Sequence, residues 1–224
     1  MKMQKIDDLL NITMSDRIWR IKEITFLKSA CAEDNQTKQR LSILRRAFIP
    51  IAYAHWEGYA KKIGQSYLEY VASQNLKLYE LSTCFQSMHF SNENYNDLQR
   101  LKRHSLQGII HKITNEGEEV INLKTKGVIT AQGNLNSDAL KDICLNLGID
   151  FSIFNSKATF IDKILIGKRN GIAHGEGWSI SYEEVESISD NVINCIDIFK
   201  ESIERAATSA EYLSKRAKNE IRFV

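Results

Sequence analysis

The sequence predicts an all-α fold, a single domain over residues 1–224, and three observations carry that expectation. Apolar residues recur at three- and four-residue steps near both ends of the chain. Capping residues and glycines bracket those runs at helix starts and stops. A composition of 43% hydrophobic and 26% charged residues suits a well-filled globular core rather than a disordered chain. The expected layout is two helical halves, at about 8–74 and about 135–215, around a less regular elaboration at about 75–134.

The first half begins with a stripe of Met14, Ile18, Ile21, Ile24, Leu27 and Cys31, the spacing of an amphipathic helix. Leu41, Leu44, Phe48, Ile51, Tyr59 and Ile63 form a second stripe, in which Pro50, the sole proline, predicts a kink or a fresh start. In the elaboration, Leu98 to Ile113 predicts a helix, and VINLKTKGVITAQG a short β-hairpin around Lys126-Gly127. In the second half, Asn136 or Ser137 caps a helix that runs to Leu147 and stops at Gly148, and Ser156 caps another through Phe160, Ile161, Ile164 and Leu165. Ser181-Tyr182-Glu183-Glu184 has capping-box spacing. From it Val185, Ile188, Val192, Cys195, Phe199, Ala206 and Leu213 predict a helix of roughly 30 residues, long enough to suggest a second chain as packing partner.

The 30 basic and 28 acidic residues exclude a strongly basic coat but not a local patch. Cys31, Cys84, Cys144 and Cys195 form no close pair, so reduced thiols in a cytoplasmic protein are expected, with neither a disulfide framework nor a C-x-x-C site. MKMQKIDDLL lacks the apolar core of a signal peptide, and no run is long enough to span a bilayer, so no membrane association is expected.

The chemistry concentrates in KRNGIAHGEG, residues 168–177. In one reading it is an ordinary helix stop, with basic residues in the last turn and a terminal glycine. In the other, Arg169 offers phosphate a planar fork of donors, Asn170 orients a partner, and His174 moves protons near neutral pH. Five residues apart, Arg169 and His174 stand about 140° apart on an ideal helix. Gly171, Gly175 and Gly177 are expected to let the helix unwind, returning His174 toward Arg169 or toward a second copy.

RNGIAHGEG, with the upstream GNLNSDALKDICLNLGID and the early YAHWEGYAKKI, resembles the HEPN superfamily of small helical bundles, and within it the MAE-like branch of bacterial toxin and defence ribonucleases. The resemblance spans about 41–71 and about 133–200, and the HEPN signature of arginine, polar residue and histidine falls on Arg169, Asn170 and His174. It implies a metal-independent endoribonuclease without cofactor, acting as a toxin or phage-defence effector, whose R-x4-H motifs meet across a homodimer. A partner antitoxin is implied with it; the alternative is a catalytically silent module that binds RNA, nucleotide or protein. In one toxin branch a tyrosine two residues after the histidine is modified to silence the nuclease. Glu176 stands at that place, so silencing by that route is not expected.

In YAHWEGYAKKI, His55 continues the apolar stripe and is expected as a hydrogen-bonded histidine within the bundle, or as support for the site. By the resemblance, Glu57 contacts Arg169 and orients it. His55-x-Glu57 and His174-x-Glu176 lack the spacing that sets two ligands on one helical face, so no metal is expected. Lys168, Arg100, Lys102, Arg103 and Lys112 are candidate contacts to an RNA backbone, although such basic clusters also form plain solvated faces.

Overall fold

In the computed structural model, which describes residues 5–32, 37–91, 107–108, 110–111, 117, 119–131 and 133–221, three long helices form the core. They are α1 (Ile6–Ala30), α2 (Lys38–Ser73) and α6 (Tyr182–Thr208), joined by α3 (Thr83–Ser91), α4 (Ser137–Leu147), α5 (Gly167–Ala173) and α7 (Lys215–Ile221). The bundle is all-α, with no β-sheet among the described residues. None of its helices is long and apolar enough to cross a membrane. All four cysteines are free, and Cys31, Cys144 and Cys195 are buried.

The inward face of α1 follows the expected apolar stripe only toward its C-terminal end, where Ile24 and Cys31 are buried and Leu27 packs against the core. Leu9, Thr13, Asp16, Arg20 and Ile24 are buried, whereas Met14 and Ile18 are 44% and 55% exposed. Hydropathy misplaces this face because its polar members bury themselves as satisfied partners. Thr13 Oγ1 donates to Glu204 at 2.6 Å, Arg20 Nε donates to Asp16 at 2.6 Å, and Lys62 Nζ reaches the same carboxylate at 2.6 Å. Arg17 pairs with Asp197, which ties α1 to α6.

Capped by Thr37, whose side chain accepts from Arg40 N–H at 3.3 Å, α2 runs through Pro50 without a fresh helix start. Burial of Phe48, Ile49, Ala52, Tyr53 and Trp56 around the proline holds the helix together despite the lost N–H. The Ser181 box forms as expected: Ser181 Oγ accepts from Glu184 N–H at 3.2 Å, and Glu184 Oε2 accepts from Ser181 N–H at 3.0 Å. Behind it Val185, Ile188, Val192, Cys195, Phe199 and Ala206 are buried, while Leu213 lies past the end of α6. Their cover comes from α1 and α2 of the same chain, so the length of α6 needs no second chain to explain it.

The hairpin expected around Lys126-Gly127 is a turn without a ladder, with Gly127 at φ +76°. Ile121, Leu123, Ile129 and Ala131 are buried, so the alternating residues plug into the core instead of pairing two strands. Val120 bridges to Lys77. The helix expected over Leu98 to Ile113 lies outside the described residues except at 107–108 and 110–111, which are helical.

Candidate functional site

The motif rides on a short rod built from two windings. Asn136 caps α4 by accepting from Ala139 N–H at 2.8 Å, and Gly148 closes it in the left-handed region at φ +68°. The next helix is not capped by Ser156: helical winding starts at 158, and Phe160–Ile166 is a π-helix that passes directly into α5. Asp162 accepts from Ser137 N–H at 2.7 Å and so fastens this rod to the start of α4. Phe160, Ile161, Leu165 and Ile166 face the core and set the direction in which the next residues point.

Arg169 turns toward α2. Its guanidinium carbon lies 5.1 Å from the centre of the Tyr53 ring, and its Nη1 donates to Asn170 Oδ1 at 2.8 Å. Together with Tyr53, Glu57, Lys61, Lys62 and Gln65 it lines an open groove of about 670 Å³. Tyr53 is the residue that hydropathy conceals, since an aromatic at a stripe position reads as core. Its hydroxyl accepts from Leu135 N–H at 2.8 Å and is hydrogen-bonded to Glu57. Burial, and then the Glu57 carboxylate, push the Tyr53 hydroxyl up to about 12. Burial alone would raise the Glu57 carboxyl, but hydrogen bonds from Lys61 and Tyr53 and the charges of Lys61 and Arg169 outweigh it and hold Glu57 below its ordinary value. Glu57 thus stands as an ionised group in the groove that Arg169 enters, linked to it through the tyrosine.

His174 does not line that groove. The helix stays intact through Ala173, His174 is its exposed C-terminal cap, and His174 N–H donates to Asn170 O at 2.9 Å. Only at Gly175, with φ +83°, does the chain reverse. The unwinding expected at Gly171 is absent because that glycine is buried under a tryptophan. A Cβ added there would come 2.3 Å from Trp178 Nε1. Trp178 Nε1 donates to Glu176 Oε2 at 2.9 Å, and Lys168 Nζ sits 4.7 Å from the Trp178 ring centre. Lys168 also pairs with Glu184 at 2.7 Å, so this lysine braces the segment rather than standing free for a backbone phosphate.

His55 faces the other way along α2. It is 5% exposed, its ring meets Trp19 edge-on at 5.2 Å, and its Nε2 is 3.5 Å from Glu23 without a hydrogen bond. It therefore supports the contact with α1, not the Arg169 groove, and its expected hydrogen bond is not made. Burial lowers its pKa, partly offset by Glu23. Arg100, Lys102, Arg103 and Lys112 lie outside the described residues.

An all-α bundle that sets an arginine-asparagine pair against its longest helix, and a histidine at the end of the same short helix, has the make-up of a HEPN domain, a class whose members act as ribonucleases or bind RNA, often as dimers. The sequence model of the RiboL-PSP-HEPN family matches residues 15–205, and the chain belongs to that family. The match says nothing of the MAE-like branch. No curated protein and no solved structure gives a match.

Proposed function

We propose that the protein is a metal-independent endoribonuclease that cleaves RNA at a site composed from two copies of the chain. The observation that carries this reading is the state of Arg169: braced on Tyr53 and in one groove with an ionised Glu57, its side chain has among the described residues a single hydrogen bond, to its neighbour Asn170, and faces open space. Its remaining donors suit the oxygens of a phosphate whose charge builds during reaction. The RNA 2′-hydroxyl attacks the adjoining phosphorus, one imidazole takes the hydroxyl proton, and the bond to the departing 5′-oxygen breaks as a second imidazole protonates it. One chain supplies one His174, outside its own groove, and a two-fold axis brings the second. In this reading the activity serves a toxin or phage-defence effector, with an antitoxin or operon partner protein to restrain it.

The separation of Arg169 from His174 in one chain favours a second reading, an RNA-binding module without catalysis, if the protein acts alone. One experiment separates them. Purified protein is incubated with RNA in EDTA beside His174→Ala, its mass is followed by light scattering, and the fragment ends are identified. The expected outcome is a dimer yielding 2′,3′-cyclic phosphate and 5′-hydroxyl ends, with His174→Ala inactive but still binding RNA. Fragments with 5′-phosphate ends, or full activity from His174→Ala, overturn the proposed 2′-hydroxyl mechanism and its composite site; binding without cleavage by a monomer establishes the second.

A further inference from the structure

Trp178 lies four residues beyond His174, on the segment that leaves the motif helix, and is 37% exposed. Exposed tryptophans are usually loose, but this one is held from three directions. Its indole N–H is bonded to Glu176, Lys168 sits over the ring, and its inner edge rests on Gly171, the one residue type whose missing side chain leaves room. The backbone repeats the tie, since Glu176 N–H donates to Gly171 O at 2.9 Å. The ring keeps more than a third of its surface open to solvent, and Lys168 beside it is already bound to Glu184.

We propose that Trp178 is a stacking platform for one unpaired base of the bound RNA, on the Lys168 and Gly171 side of the motif helix, an inference that rests on the endoribonuclease reading. Aromatic rings hold bases of single strands by stacking, which tolerates any sequence because every base has a π face. A ring already set in one pose loses little conformational freedom when a base arrives. The platform explains why Gly171 must be bare: the position of the indole depends on it. It also assigns the substrate class as single-stranded RNA, because bases within a duplex do not offer their faces.

The test uses the full-length His174→Ala protein, expected to bind without cutting, and a short single-stranded RNA followed by tryptophan fluorescence and anisotropy. Adding Trp178→Ala is expected to weaken single-strand binding by about 5- to 150-fold, the range of one lost stacking contact. Trp178→Phe, which keeps a ring, is expected to bind within a few-fold of its parent while losing the fluorescence quench that the RNA produces. Gly171→Ala is expected to mimic Trp178→Ala and to add nothing on top of it. Unchanged single-strand binding by Trp178→Ala overturns the platform, as does an equal loss with duplex RNA. So does a shift of Trp178→Ala to a smaller oligomer, which would make the indole an interface residue. If the wild type cleaves RNA in any of these cases, the platform alone has failed; if it neither binds nor cleaves RNA, the nuclease reading has failed with it.

Discussion

Two arginines lie on opposite sides of α2, each against an aromatic ring, and they do opposite work. Arg20 is 7% exposed, sits 4.5 Å from the centre of the Trp19 ring, donates to the buried Asp16 carboxylate and reaches His55 O at 3.2 Å. Arg169 rests on Tyr53, has no carboxylate within ion-pair distance among the described residues, and lines open space. The first guanidinium is buried and bound to a buried carboxylate and a helix carbonyl; the second is aimed and left unfinished. Residue type and aromatic contact are the same, so what distinguishes the arginine suited to a ligand is where its remaining donors end.

The sharpest way to break the comparison is to remove each charge in turn. Arg20→Met leaves the buried Asp16 with only Lys62 and the Trp19 N–H as partners and is expected to cost about 3–5 kcal/mol in urea unfolding. Arg169→Met is expected to change stability by less than about 1 kcal/mol while lowering RNA cleavage by about 100-fold or more. Equal stability losses would erase the distinction. Tyr53→Phe tests the brace: the ring stays under Arg169, but Leu135 N–H and Glu57 lose the hydroxyl, at a cost of about 1–3 kcal/mol. Its cleavage rate is expected to fall less than that of Arg169→Met, and a fall as large would make the hydroxyl, not the ring, the support.

The smallest effect belongs to the α1 side. His55 has a folded pKa below its ordinary value of about 6.5, first through burial and then through Arg20, with Glu23 and Asp16 opposing. The unfolded chain therefore binds more protons over the window below about pH 6.5. Stability from this group is fully present above that pH and is lost as pH falls toward the folded value. Urea unfolding between pH 7.5 and 5.5 is expected to show a decline that His55→Gln flattens, and an equal decline in the variant would assign the titration elsewhere.

What the sequence discloses depends on whether a residue is read by local chemistry or by company. The Ser181 box and the Asn136 to Gly148 helix are local, and both stand where spacing put them. The buried face of α1 was hidden because Asp16 and Arg20 look like surface residues until they are seen to satisfy each other. The apolar rhythm of α6 was visible, but not that α1 and α2 already cover it. At the site, the adjacency of Arg169 and Asn170 could be read directly; the resemblance implied a contact between Glu57 and Arg169, and the two line the same groove without an ion pair among the described residues. The aim of His174 could not be read: three glycines suggested a broken helix, whereas Trp178 fills the space above one of them and the helix persists.

The π-wound stretch from Phe160 to Ile166 has a consequence for how this rod tolerates change in length. In an α-helix each residue turns the chain by about 100°, so losing one between Lys168 and Ala173 would re-aim everything beyond it. A π-turn spans five residues from carbonyl to amide where an α-turn spans four, so it stores chain without turning the downstream helix by the full step. The rod therefore winds more slowly directly before a phase-critical section. A one-residue change within the π-wound stretch re-aims Arg169 and His174 together, whereas the angle between them is carried by the seven residues of α5.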